Sequence, residues 1–354
     1  MLDLTYRFKN QFALQLYYNR TEAERQSEVI PNNMETKLQE FLEKQINLAQ
    51  GRVSQGSTSH TYIRNLLANR WQTDSEFPWL VDGDFLSGSY ARGTKLHPLD
   101  DIDVMIVLDG TGLIPVGLNA TYYVRGNSEG KNSPVHNHLG YDNLLNSHSV
   151  LEAFQKALAQ SHPDSTIKKS GQAINVKLSS YNLGIDIVPC FHIKPFDNTQ
   201  QDFYYIPIGN GNAGWLKTNP KIDENISKGL HDRHNKKLKS IIKLLKYWNR
   251  EKNADRIRSY HLETIAWHVF HNHTSTITSM SEGIRYFFNN ARPYIENQMY
   301  EPTGFGGLID TYLTPQDRQL SLGAFDRAKS AVQLGGLLTP ISNWKAIFGD
   351  KFGN

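Results

Sequence analysis

The 354-residue chain has a single cysteine, Cys190. One thiol excludes an intramolecular disulfide and any cysteine-rich zinc cage. Long apolar runs are absent as well: no stretch approaches the ~18 residues a membrane-spanning helix needs. The first residues are polar and mixed in charge, unlike a secretory leader, so a cytoplasmic protein with no membrane partner is expected. An excess of charge is also missing. The formal net charge is +3, and no basic stripe is dense enough to make a nucleic-acid groove. Internal repeats and low-complexity tracts are absent. No Gly-Lys-Ser/Thr follows a glycine-rich turn at the spacing of a P-loop. What remains is a chain long enough to bury a large core, with two lobes as the expectation from length.

The most informative feature present is Gly88-Ser89 followed by Asp101-Ile102-Asp103, with a third acid downstream in Gly184-Ile185-Asp186-Ile187-Val188. Strand side chains alternate faces. Asp101 and Asp103 therefore share one face, and Ile102 points into the core. Asp186, between two isoleucines, is expected on a neighbouring strand. Three carboxylates so placed suit a pair of divalent cations that clamp the two oxygens of an in-line displacement at phosphorus. Gly88-Ser89 reads as a tight turn into a helix. Glycine lets the backbone approach a phosphate, and the first N–H groups of a helix, with the Ser89 hydroxyl, bind anions.

Each piece alone has a plainer reading. Asp-x-Asp is often a solvated turn, and Asp82-Gly83-Asp84 reads that way because glycine sits between its acids. The run Ile102 to Leu108 is too apolar for a surface turn, so its acids are at least half-buried. Unpaired buried carboxylates are costly, and a cation relieves that cost. Asp100 is off the shared face and reads as a solvated or capping residue. His136-Asn137-His138 spells a nuclease motif but lies in a Gly/Asn-rich loop. His268, His271 and His273 lack an acid or cysteine at ligand spacing, so a surface or capping role fits better than zinc.

Along the chain, Phe8, Phe12, Leu14 and Leu16 suggest an arm packed on the body. A helix is expected over Met34–Ala49, a polar break over Gly51–Gly56, and a second helix over Ser57–Trp71. Strands follow near 84–87 and 102–108. Residues 109–146 read as an inserted loop with a short hairpin at Tyr122-Tyr123-Val124. A helix around Val150–Leu158 and strands at Ala173–Leu178 and 184–193 come next. From about Asp223 the pattern is helical. Leu238, Ile241, Ile242, Leu245 and Trp248 form one apolar stripe. Ser259 stands where a helix begins and has a plain reading as its N-cap, with Glu263 in the first turn. Tyr260 reads equally as core.

The run Gly88-Ser89-Tyr90-Ala91-Arg92-Gly93-Thr94, with Asp101-Ile102-Asp103, resembles the polymerase-beta-type nucleotidyltransferases. Within them the chain resembles the bacterial cyclic-oligonucleotide synthases of anti-phage defence (CD-NTases), relatives of animal cyclic GMP-AMP synthase and oligoadenylate synthase. Tyr205-Ile206-Pro207 with Trp215 and Thr218-Asn219-Pro220, Leu244-Leu245-Lys246-Tyr247-Trp248, and Ser259-Tyr260-His261-Leu262-Glu263 carry the narrower likeness. It spans about Phe85 to Ala331.

The resemblance implies an α/β (α+β) fold: a polymerase-beta-like nucleotidyltransferase core with a mixed sheet, plus a mainly helical second lobe that closes over nucleotides. The expected divisions are an arm and spine helix (1–72), the core (73–215) and the helical lobe (216–354). It implies that Asp101, Asp103 and Asp186 hold two Mg2+ ions, with Mn2+ able to substitute. Gly88, Ser89, Lys246 and Ser259 would hold the donor triphosphate, and Tyr260 would stack on its base. Nucleoside triphosphates, ATP or GTP or both, would be joined into a cyclic di- or trinucleotide with release of pyrophosphate. An effector protein would sense that product, and no nucleic-acid activator is expected. Two alternatives share parts of the pattern: a toxin-like enzyme that adds nucleotides to tRNA or protein, and a catalytically silent nucleotide sensor.

Overall fold

Nine β-strands and eleven α-helices appear among the described residues, which in this computed structural model are 32–118, 121–178, 183–195, 201–209, 213–333 and 341–353. The aromatic arm expected over Phe8–Leu16 lies outside them. Contacts divide the chain into two compact units. One is Leu48–Glu224. The other joins the segment ending at Asn47 to everything from Asn225 onwards.

The first unit is built on a mixed sheet. Its strands are β1 (Phe85–Ser87), β2 (Asp101–Val107), β3 (Leu113–Leu118), β4 (Thr121–Gly126), β5 (Thr166–Ser170), β6 (Ala173–Leu178), β7 (Leu183–Ile193), β8 (Phe203–Pro207) and β9 (Trp215–Thr218). The main path runs β1-β2-β7-β8-β9-β4-β3, and β6 pairs with β7 and with β5. Among the described residues the β2–β7 pairing alone is parallel; the other ladders are antiparallel. β7 is eleven residues long. Gly184 to Cys190 pair with β2, Leu183 to Ile187 pair with β6, and the last three residues pair with β8. The sequence explains why these two strands are central. Ile102, Val104, Ile106, Ile185 and Ile187 have no exposed surface. β-branched side chains fit a pleated surface packed on one face.

Around the sheet lie α2 (Gln50–Thr73), the one-turn α3 (Gly88–Ala91) and α4 (Ser147–Ser161). Asn146 caps α4, its side chain accepting from the His148 and Ser149 N–H groups. Val150, Leu151, Phe154 and Leu158 form the buried face of α4, as their spacing requires. The expected polar break at Gly51–Gly56 is instead part of α2. The Ser54 and Thr58 hydroxyls bond back to carbonyls three and four residues earlier. Two glycines cost about 1 kcal/mol each against alanine in a helix, too little to stop one this long. The 109–146 segment is more ordered than a loop: β3 and β4 make a six-pair hairpin.

The second unit is helical: α1 (Asn32–Phe41), which runs into a π-helical turn at Leu42–Ile46, then α5 (Pro220–Arg233, crossing the division), α6 (Leu238–Asn253), α7 (Ser259–His271), α8 (Met280–Asn290), α9 (Arg292–Glu296), α10 (Pro315–Gln333) and α11 (Ile341–Phe348). The expected stripe of α6 is buried throughout. Trp248 meets Phe288 and Phe325 edge-on at 4.9 and 4.7 Å between ring centroids. Burying an aromatic of this size stabilises by about 1.5–3 kcal/mol. Glu35 on α1 holds the start of α8, its carboxylate accepting from the Met280 N–H at 2.9 Å and pairing with Lys237 at 3.1 Å.

Candidate active site

The parallel register sets Asp103 beside Asp186, and Asp101 beside Gly184. With period-two alternation, Asp101, Asp103 and Asp186 share one face of two adjacent strands. Further along that face, the surface turns apolar: Met105, Val107, Cys190 and Tyr204 form a buried cluster with Phe85, Val188 and Ile206 around it. The acids therefore stand at the border between this cluster and solvent, each partly buried.

β1 brings the turn to the acids. Ser87 pairs with Asp103, so Gly88 begins α3 beside that carboxylate. Gly88 has φ +66°, and a Cβ there would stand 1.9 Å from Asp103 Oδ2. Both the backbone conformation and the space thus demand glycine. The turn is closed behind Ser89 by the Thr94 N–H, which donates to the Ser89 carbonyl at 2.9 Å.

Charge at this edge is unbalanced. Burial raises the Asp103 pKa to about 6, and the neighbouring Asp101 and Asp186 add to the rise, while Lys95 and Arg92 oppose it. Asp101 is also raised, first by burial, with Lys95 opposing. Asn175, opposite Asp186 on β6, donates to Asp186 Oδ1 at 2.8 Å and fixes that side chain. Lys95 lies 2.5 Å from Asp100 Oδ1 and also bonds Asp101. Asp100 is exposed, as its off-face position implies, and it also pairs with Lys95; burial works against its charge, but the Lys95 ammonium outweighs that and its pKa ends low. Lys95, Arg92 and Asn175 were not singled out from the sequence. Arg92 lies inside the Gly-Ser motif and is 6 % exposed, but nothing in its spacing marks it.

The donor set suits divalent cations: hard oxygen ligands, excess negative charge and a cradle that any side chain at position 88 would fill. Among the described residues, however, no three acid, histidine or cysteine side chains converge as a finished ion cage. Lys95 supplies part of the missing positive charge at Asp101.

The other three expected nucleotide-binding residues lie in the helical unit. Lys246 on α6 is 4 % exposed and pairs at 2.5 Å with Glu263 on α7, which is wholly buried. Its aliphatic stem belongs to the core, and an anion would have to compete with Glu263 for its ammonium. Ser259 is exposed, and it is the first helical residue of α7 rather than its cap; Arg258 holds the cap position. Tyr260 is half-buried, and its hydroxyl donates to Glu301 Oε1 at 3.4 Å. The second oxygen of Glu301 accepts from the backbone N–H groups of Gly304, Phe305 and Gly306. One carboxylate thus closes the 301–306 loop and reaches the Tyr260 hydroxyl.

Comparison with known proteins follows this geometry. The family described as Second Messenger Oligonucleotide or Dinucleotide Synthetase domain matches residues 32–116, which include the Gly-Ser turn and the acids of β2. A probable cyclic nucleotide synthase of Bacillus cereus (strain VD146) is 29 % identical over 324 residues, covering 88 % of this chain and 95 % of that protein. The same fold is found in CdnC of E. coli MS115-1, solved with ATP (TM-score 0.65, 18 % identity, 90 % of this chain and 99 % of that one). It is also found in a mutant of the Vibrio cholerae di-nucleotide cyclase DncV, solved with ATP and GTP (TM-score 0.64, 11 % identity, 88 % and 94 % covered). The chain therefore carries a nucleotidyltransferase domain of the second-messenger synthetase type, resembles the CD-NTases over most of its length, and is an enzyme of cyclic-oligonucleotide synthesis.

Proposed function

We propose that this enzyme joins nucleoside triphosphates, ATP or GTP or both, into a cyclic di- or trinucleotide that an effector protein reads during phage infection. The observation that carries the chemistry is the shared face of Asp101, Asp103 and Asp186, with the Gly88 turn pressed against Asp103. Asp101, Asp103 and Asp186 would hold two Mg2+ ions, which when bound lower the pKa of an attacking hydroxyl and neutralise charge on the phosphates. The protein's own part is to gather those carboxylates and keep them aligned. The Ile102 and Ile185 anchors fix the strands, and Asn175 fixes the Asp186 carboxylate. Backbone N–H groups at Gly88 and Ser89, with the Ser89 hydroxyl, bind phosphate oxygens. A ribose hydroxyl of one nucleotide, giving up its proton to solvent, then attacks the α-phosphorus of the other; the new P–O bond forms as the bond to the α–β bridging oxygen breaks, and pyrophosphate leaves. A second such step closes the ring.

Ser259 at the start of α7 fits a triphosphate oxygen, because helix-start N–H groups attract anions. Tyr260 fits a stacked base. Lys246 joins them only by giving up Glu263, so its part in donor binding would be conditional on a nucleotide that competes for it. The relatives solved with ATP, or with ATP and GTP, support these substrates. The test is incubation of nuclease-treated protein with the four nucleoside triphosphates and Mg2+, with products identified by mass. A cyclic dinucleotide or trinucleotide plus pyrophosphate is expected, with no added duplex. Products only on a tRNA or protein acceptor, or strict dependence on a duplex, would overturn the reading.

A further inference from the structure

Lys95 is a strongly placed group at the acidic edge that the proposed reaction does not use. It follows the Gly-Ser motif and is mostly buried, its side chain 17 % exposed. Its ammonium bonds Asp101 and, at 2.5 Å, Asp100. Asp101 is the acid that would share a cation with Asp103. A lysine and a divalent ion cannot both take the same carboxylate oxygen.

We propose that Lys95 is a built-in, displaceable counter-ion. It holds Asp101 while no metal is bound, it is expelled from Asp101 when divalent cations enter, and it keeps Asp100 as its resting partner. This rests on the reading of Asp101, Asp103 and Asp186 as cation ligands. Two consequences follow physically. The acidic edge gains stability, because Asp101, Asp103 and Asp186 repel one another and the Lys95 ammonium offsets part of that repulsion. Metal affinity falls, because each ion must first break a charge-assisted contact.

The experiment compares wild type, Lys95→Met and Lys95→Arg by Mn2+ titration calorimetry without nucleotide, and by melting in EDTA. Methionine keeps the stem length and removes the charge. Lys95→Met is expected to bind Mn2+ roughly tenfold more tightly, the size of one lost charge-assisted competitor. Its melting temperature in EDTA should fall, and Lys95→Arg should stay near wild type. In wild type, acylation of Lys95 by a small amine-reactive reagent, read by mass spectrometry, should rise when Mn2+ is added. Unchanged or weaker Mn2+ binding in a folded Lys95→Met overturns the inference, as does Lys95 labelling that Mn2+ leaves unchanged or lowers. Asp103→Asn separates the two ideas. If it abolishes Mn2+ binding while Lys95→Met changes nothing, only this inference fails. If Asp103→Asn still binds Mn2+ as wild type does, the reading of the acids fails with it.

Discussion

Among the described residues, two settings that enclose carboxylates differ in kind. In the helical unit, Glu263 is fully enclosed and matched by one lysine, Lys246, at 2.5 Å. At the edge of the sheet, Asp103 stands among Asp101 and Asp186, and its pKa is pushed up to about 6. The first arrangement balances its charge within the core. The second leaves a surplus of negative charge at the border with solvent. A balanced pair holds two helices in one register, and breaking it leaves a charge stranded. An unbalanced cluster costs stability and is poised to take a positive ligand. The contrast supports the sheet edge as the place of the proposed chemistry, while the Lys246–Glu263 pair joins α6 to α7.

The sharpest way to break this comparison is Asp103→Asn. Turnover should drop at least about a thousandfold, the loss of several kcal/mol of transition-state stabilisation. The same variant should melt no lower than wild type in EDTA, because it removes like-charge repulsion. Product quantified by mass and melting by calorimetry check the two halves. Near-normal turnover in the folded variant would end the assignment.

Glu263→Ala should behave in the opposite way. It leaves the Lys246 ammonium buried without its carboxylate, which costs about 3 kcal/mol or more of stability. Replacing both partners, Lys246→Met with Glu263→Leu, should recover most of that loss, since well-packed apolar pairs replace buried ion pairs with little penalty. Denaturant melts measure both. Activity of the recovered double variant then shows whether Lys246 also serves the triphosphate: a raised KM for nucleotide says yes, unchanged kinetics say no.

A smaller effect is expected at Tyr260. Tyr260→Ala should weaken nucleotide binding by about 1–3 kcal/mol, the worth of one stacked base, with little change in the melting of the nucleotide-free protein. Tyr260→Phe keeps the ring and loses only the hydroxyl's contact with Glu301, so it should lose much less. A collapsed melting temperature in the alanine variant, with normal kinetics in the folded remainder, would make Tyr260 core.

The gentlest test uses pH. Burial lowers both His261 and His268 to about 4 from an ordinary 6.5. Folding therefore favours their neutral forms. Above pH 6.5 they are neutral in both states and add no pH dependence. As pH falls from 6.5 towards 4, the unfolded chain takes up protons that the folded one refuses, and stability is lost across that window. His261→Asn or His268→Asn should flatten the corresponding part of a melting-temperature profile, whatever it does to the absolute value.

The sequence alone determined a good deal. The alternation of Asp101, Ile102 and Asp103 placed two acids on one face, because strand side chains have no other choice. The β-branched runs around Asp103 and Asp186 marked central strands, and the spacing of Leu238, Ile241, Ile242, Leu245 and Trp248 marked the buried face of α6. These are local properties, set by backbone period and side-chain shape. The tertiary structure decided what depends on partners distant in the chain. Parallel pairing of β2 with β7 put Asp186 beside Asp103 rather than two residues away. The β1–β2 register pressed Gly88 against Asp103 and gave that glycine its reason. Strands β5 and β9 carry little strand signal of their own and are set by their pairing with β6 and with β8 and β4. Lys95, eight residues before Asp103, carries no spacing signal; only the folded loop reveals which carboxylates it meets. Lys246 reads from sequence as one of several helical lysines, and only the packing of α6 on α7 shows that its charge is spoken for. Charge partners are chosen by three-dimensional proximity, and a period along one strand or helix does not encode them.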